Sequence, residues 1–180
     1  MDRLAQEYLT ESEKSFRGLK SNAEKAIAQV EDKDLHFQYD QESNSIAIIM
    51  KHMAGNMLSR FTDFLTSDGE KPDRNRDGEF IDDFSSRDAL MAYWNKGWNC
   101  FLETLASLKE EDLMRIVYIR GEAHTVTRAL QRQLAHYGYH CGQIVYVAKM
   151  IRSKDFKTLS IERGHSNDFI TKPPTSPTNL

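Results

Sequence analysis

The chain has 180 residues and a formal charge of −3, from 24 Lys and Arg against 27 Asp and Glu; the length suits one domain, and no basic surplus exists to hold it on nucleic acid. Nine Gly and four Pro leave few turns for a many-stranded sheet. Two cysteines, Cys100 and Cys141, supply no disulfide framework.

The first residues lack the apolar core of a signal peptide, and no uncharged run of about 18 apolar residues occurs. A cytoplasmic protein without a membrane span is expected. Leu4, Tyr8, Phe16, Leu19, Ala23, Ala26, Ile27 and Val30 recur at three- and four-residue steps, predicting helix one over about 3–30. With Asp40 as N-cap, the run Ile46, Ile49, Met50, Met53, Met57, Phe61, Phe64 and Leu65 predicts helix two over about 42–66, stopped by Ser67-Asp68-Gly69. The charged segment over 67–85 is too long for a tight turn and reads as a crossover. Ser85 and Asp88 form a candidate capping box for helix three, over about 86–107, with the stripe Leu90, Tyr93, Trp94, Trp98, Phe101, Leu102, Leu105 and Leu108. Arg115 to Arg120 is β-branched and aromatic and predicts one short extended piece, too short to define a sheet.

Helix four is the clearest element. Leu130, Leu134, Tyr137, Cys141, Ile144, Ala148 and Ile151 keep an unbroken 4-3-4-3-4-3 spacing from near Thr125 to near Arg152. Four amphipathic helices with one long connection predict an all-α, four-helix bundle that is not simple up-down-up-down. A single domain over 1–170 and a flexible tail over 171–180 follow, the tail being rich in Pro, Thr and Ser.

On helix four, His136 and His140 stand four residues apart, which places their Cβ atoms about 6 Å apart on one face, a span that one divalent ion can bridge. Each precedes a core residue, at the border of the buried stripe. His52 stands in the same relation to Met53 and can supply a third nitrogen across the bundle. The same spacing also arises on ordinary helix surfaces, where such histidines are half-exposed polar residues. Asn56 and Arg60 follow His52 on its face and suit an anionic substrate, or are surface polar residues. Glu122 and His124 precede helix four and are candidate acid or base groups; a cap or loop hydrogen bond is the alternative for His124. Arg74 and Arg76 suit an acidic co-substrate or a solvated loop. Trp94 and Trp98 read as core, and both cysteines as small buried hydrophobes.

The stretches Arg120-Gly121-Glu122-Ala123-His124-Thr125-Val126 and Arg132-Gln133-Leu134-Ala135-His136-Tyr137-Gly138-Tyr139-His140-Cys141-Gly142-Gln143-Ile144 resemble the last helix of the DinB-like (YfiT-like) metalloenzyme superfamily, in a bacterial branch known chiefly as a domain of unknown function. Helix two, from Met50-Lys51-His52 to Ser59-Arg60-Phe61, with Asp68-Gly69-Glu70-Lys71 and Arg74-Asn75-Arg76-Asp77, is similar to the same branch. The resemblance covers most of 1–170. It implies up-down-down-up connectivity and one divalent metal ion held by His52, His136 and His140, nickel or zinc before iron or manganese. Some relatives are thiol-dependent S-transferases, so the resemblance implies a small electrophile as substrate and a low-molecular-weight thiol as partner; a hydrolase-like activity uses the same ligand set. The alternative is a non-catalytic, metal-stabilised bundle that serves as a stress-related binding protein. Relatives often pair, and an exposed apolar edge on helix three would suit a homodimer.

Overall fold

The computed structural model describes residues 3–169, so the expected tail over 171–180 lies outside the described residues. Four helices carry the chain: α1 (Arg3–Ile27), α2 (Ile46–Phe61), α3 (Arg87–Ser107) and α4 (Val126–Arg152). The broadest interfaces join α2 to α3 and α1 to α4, and smaller contacts of α2 with α4 and α1 with α3 close the ring. One contiguous core runs from Ala5 to Ala148. Its middle is aromatic: Phe101 meets Phe16 and Phe61 edge-on with centroids 4.5 Å apart in each pair, and Tyr137 lies 5.6 Å from Phe101 and 5.7 Å from Trp98. Trp94 and Trp98 are fully buried, so both tryptophans belong to the core, as expected. Gly97 lets α3 approach α2 closely, because a Cβ there would lie 2.7 Å from Ala54 Cα.

Helix ends differ from the sequence expectation where local polar groups override apolar periodicity. Helix two starts at Ile46 and not near 42: Ser45 Oγ caps it by accepting from Ile48 N, while Asp40 Oδ1 accepts from the N–H groups of Glu42 and Ser43 in the preceding loop. It stops at Phe61, since Thr62 is extended and Asp63 takes φ 50°, a left-handed residue that ends helices. Phe64 continues the apolar spacing only as a loop residue folded back on Phe61, centroids 5.0 Å apart. Helix three is capped by Ser86, whose Oγ accepts from Ala89 N, and not by Ser85. Helix one ends at Ile27, and Leu4 of its expected stripe is exposed. Helix four begins as expected, with Thr125 Oγ1 accepting from Arg128 N.

The extended piece is half of a hairpin. Strand β1 (Ile116–Ile119) pairs antiparallel with β2 (Glu122–Thr125), Ile116 opposite Thr125 and Ile119 opposite Glu122. The two-residue loop Arg120-Gly121 has φ of 56° and 74°, the positive pair that a type I′ turn requires and that glycine supplies without strain. The crossover docks on this turn. Gly69 N donates to Tyr118 O at 2.8 Å, and Asp68 accepts from the N–H groups of Arg120, Gly121 and Glu70 at 2.9, 2.7 and 2.7 Å. No helix among the described residues is long and apolar enough to cross a membrane. The apolar edge expected on α3 is absent, because none of the exposed large hydrophobic residues lies on that helix; on α4, Tyr139, Tyr146 and Met150 are exposed.

Candidate metal centre

Helix spacing brings His136 and His140 to one face of α4, and the α2–α4 packing sets His52 against them. His52 Nε2 stands 3.3 Å from His136 Nε2, which stands 3.1 Å from His140 Nε2. Two nitrogens on one zinc ion, each at about 2.0–2.1 Å with tetrahedral angles, are about 3.3 Å apart. His136 Nε2 thus already stands from each of the other two at about the separation that a shared divalent ion imposes, and all three candidate ligand atoms lie within 4.8 Å of one another.

The opposite ring nitrogens are held in a matching way. His52 Nδ1 lies 2.9 Å from Glu79 Oε2, and His140 Nδ1 lies 2.8 Å from Gln143 Oε1. Each of these acceptors draws the proton to Nδ1 and leaves the Nε2 lone pair facing inward. His136 Nδ1 meets Gln133 Nε2 at 3.2 Å, and the same amide nitrogen donates to Asn56 Oδ1 at 2.6 Å. A half-turn of both amides keeps their mutual bond and offers His136 Nδ1–H an acceptor, so the pair serves either tautomer. The Tyr137 hydroxyl, which donates to Asn56 Oδ1 at 3.2 Å, can equally accept from the turned amide's nitrogen.

Glu79 comes from the crossover, where sequence periodicity gave no sign of it. It reaches His52 because residue 55 is glycine: a Cβ there would lie 2.5 Å from Glu79 Oε1. Arg74 grips the same carboxylate with two bonds, Nε to Oε1 at 2.7 Å and Nη2 to Oε2 at 2.9 Å, and reaches Glu70 Oε2 at 3.2 Å. Burial alone would raise the Glu79 pKa, but the His52 and Arg74 bonds hold it below the ordinary carboxylate value. Phe80 stacks on the His52 ring, centroids 4.9 Å apart.

Burial, then the neighbouring His140 and His52, then Arg60 and Arg74 push the His136 pKa from 6.5 down to about 3; burial lowers that of His140 as well. Burial therefore favours the neutral form of His136 and His140, the form in which an imidazole binds a metal. Between pH 6.5 and about 3 the unfolded metal-free chain binds protons that the folded one refuses, so stability is full above pH 6.5 and is lost as pH falls through that window. Chelator-treated protein is expected to melt progressively lower from pH 7 to pH 4.5, with His136→Gln flattening the decline. Parallel curves for the two proteins would assign the decline to other groups.

A cavity of about 140 Å³ opens beside His52 and His136 and is also lined by Asn56 and Gln133. Five arginines complete the wall, Arg60, Arg74, Arg76, Arg120 and Arg132. The expected substrate-facing pair, Asn56 and Arg60, is thus at the site, and so are Arg74 and Arg76, which the sequence left between co-substrate binding and a solvated loop. Glu122 and His124 do not line the cavity. Strand alternation turns His124 inward opposite buried Val117, where neither ring nitrogen has a hydrogen-bond partner among the described residues. Glu122, at the exposed end of the same strand face, pairs with Arg128 at 3.0 Å and lies 3.7 Å from His124 Nε2. Cys141 is buried, and burial pushes its thiol up to about 12, too high for a thiolate near neutral pH; Cys100 is half-buried beside Thr62. Sequence reading missed Glu79, Gln133, Gln143, Arg120 and Arg132. For Glu79, the one available signal was chemical: a buried ligand histidine needs an acceptor for its second nitrogen.

Residues 3–165 match the family described as "Protein of unknown function (DUF1572)". The chain belongs to that family. In this DUF1572 protein the matched span contains all four helices, the crossover and the three histidines. No curated protein and no solved structure matches the chain.

Proposed function

We propose that this DUF1572 protein is a divalent-metal-dependent enzyme of the DinB-like superfamily, with His52, His136 and His140 holding one ion, nickel or zinc first. The observation that carries the reading is the convergence of the three histidines, with His136 Nε2 3.3 and 3.1 Å from those of His52 and His140 and all three ligand atoms within 4.8 Å of one another, beside an open cavity. The long 62–86 connection between α2 and α3 supports the up-down-down-up connectivity of that superfamily. A bound ion supplies a Lewis acid that lowers the pKa of a water or thiol at its open position.

The chain's own residues set what surrounds that position. Glu79 and Gln143 orient two ligand rings, the Asn56–Gln133 amide pair orients the third, and Arg60 with its neighbours gives the cavity a positive wall. The reaction that suits this arrangement is thiol transfer, in which a low-molecular-weight thiol gives up its proton to solvent, its sulfur bonds to a small electrophilic carbon, and the leaving group departs with its electron pair. Bacillithiol, glutathione, coenzyme A and cysteine, each offered with a model electrophile, form the test. At least one combination is expected to turn over, with chelator returning it to the uncatalysed rate and metal restoring it. Uncatalysed rates in every combination would overturn thiol transfer. A large fall in Tm on metal removal, with no turnover lost, would favour the metal-stabilised binding bundle, which α2 and α4 suit because their direct interface is among the smaller ones.

A further inference from the structure

The cavity wall is unbalanced in charge. It contains five arginines and no carboxylate among its lining residues. Two of the five are answered from behind: Arg74 by Glu79 and Glu70, and Arg120 by Glu70, whose Oε2 lies 3.3 Å from Arg120 Nε. Arg76 and Arg132 form no ion pair among the described residues, and neither does Arg60. Arg60 is the most telling. It is only 4 % exposed, and its Nε and Nη1 find no hydrogen-bond acceptor among the described residues.

A buried guanidinium with unmet donors is costly, since it loses hydration without gaining a partner. The fold nevertheless holds it in place. Gly69 leaves room for its stem, for a Cβ there would lie 2.8 Å from Arg60 Cδ. The Gly69 backbone is fixed over it by the bond to Tyr118 O and by Ser59 Oγ, which donates to Gly69 O at 3.0 Å. Both the helix that carries Arg60 and the crossover that covers it are therefore shaped around a cation whose partner is not a side chain of the described protein.

We propose that this cavity binds the anionic group of the substrate, a phosphate or a carboxylate, with Arg60 as its buried anchor and Arg76 and Arg132 completing the cradle. The inference rests on the metal-site reading for the location of the chemistry, and it narrows the substrate class to small acids. Guanidinium forks match both oxyanions with paired hydrogen bonds. A volume of about 140 Å³ admits one such group, and the cavity is open, so the rest of the molecule can extend outside it. Because His52 and His136 share the wall, a molecule anchored on the arginines presents its remaining atoms to the histidines. At least one of the two reactants, thiol or electrophile, is therefore expected to carry an anionic group.

The test uses the full chain, metal-loaded and chelator-treated, titrated with inorganic phosphate and separately with acetate, at an ionic strength held constant with chloride. Saturable binding by calorimetry is expected for at least one oxyanion in both forms; phosphate alone, acetate alone or both identifies the class. Arg60→Met is expected to weaken it about tenfold or more, as loss of hydrogen bonds to a charged group does. If that variant does not fold, the double variant Arg76→Gln/Arg132→Gln must show the same direction of loss. Binding that vanishes when the metal is removed would assign the anion to the ion and overturn the arginine cradle. Equal affinity in wild type and variants, or no oxyanion binding beyond chloride, would overturn it as well. Because the chelator-treated arm contains no metal, the cradle stands or falls independently of the metal reading.

Discussion

His136→Ala is expected to empty the metal centre. Wild-type protein purified without chelator should carry close to one divalent ion per chain, and the variant none above background, by elemental analysis. His136 is the vertex of the cluster: its Nε2 is 3.3 Å from that of His52 and 3.1 Å from that of His140, so its loss leaves two donors on different helices with nothing between them. Structural zinc sites bind with about 10–16 kcal/mol spread over their ligands. Removing one nitrogen should therefore weaken binding by about two orders of magnitude or more. Gln133→Ala should cost less, about 10–100-fold, because it removes the partner of a ligand and not the ligand. The ordering of the two variants tests the geometry, and an ion absent from both wild type and variant would overturn the site.

The three histidines were legible in the sequence because their information is local. A four-residue step on α4 and a border position on α2 need only helical periodicity, and the 4-3-4 spacing from Leu130 to Ile151 specifies that helix almost to the residue. Arg60 was legible for the same reason, two turns beyond His52. Glu79 was not, since it lies in a segment without periodicity and is positioned by a glycine on another element. The arginine wall was dispersed in the same sense: Arg60 comes from α2, Arg74 and Arg76 from the crossover, Arg120 from a hairpin turn, and Arg132 from the polar face of α4. The hairpin itself was half-visible. Val117 and Ile119 alternate with exposed residues, whereas Glu122-Ala123-His124-Thr125 has no apolar pattern, and only pairing with β1 makes it a strand. Local apolar spacing also misplaced the end of α2, because Phe64 and Leu65 continue the period after Asp63 has broken the backbone.

The buried carboxylate that the sequence concealed carries the second large expected effect. In Glu79→Ala, Arg74 keeps only the more exposed Glu70, at 3.2 Å, while its own side chain is 5 % exposed. Breaking a buried ion pair by removing one partner costs about 3–5 kcal/mol, which for a domain of this size lowers Tm by about 6–20 °C. Glu79→Gln is close to isosteric and can still accept from His52 Nδ1–H, so it should lose less, about 1–3 kcal/mol. Both variants should weaken metal binding, by about 10–100-fold, measured by competition with a chromophoric chelator. Arg74→Met in the Glu79→Ala background should recover most of the lost stability, because the uncompensated charge goes with it, while leaving metal affinity low, because His52 still lacks its acceptor. That split separates the two roles of one carboxylate: neutralising Arg74 inside the crossover, and orienting His52 toward the ion. If Arg74→Met restored metal affinity together with stability, the first role would account for both effects and the orienting role would be withdrawn.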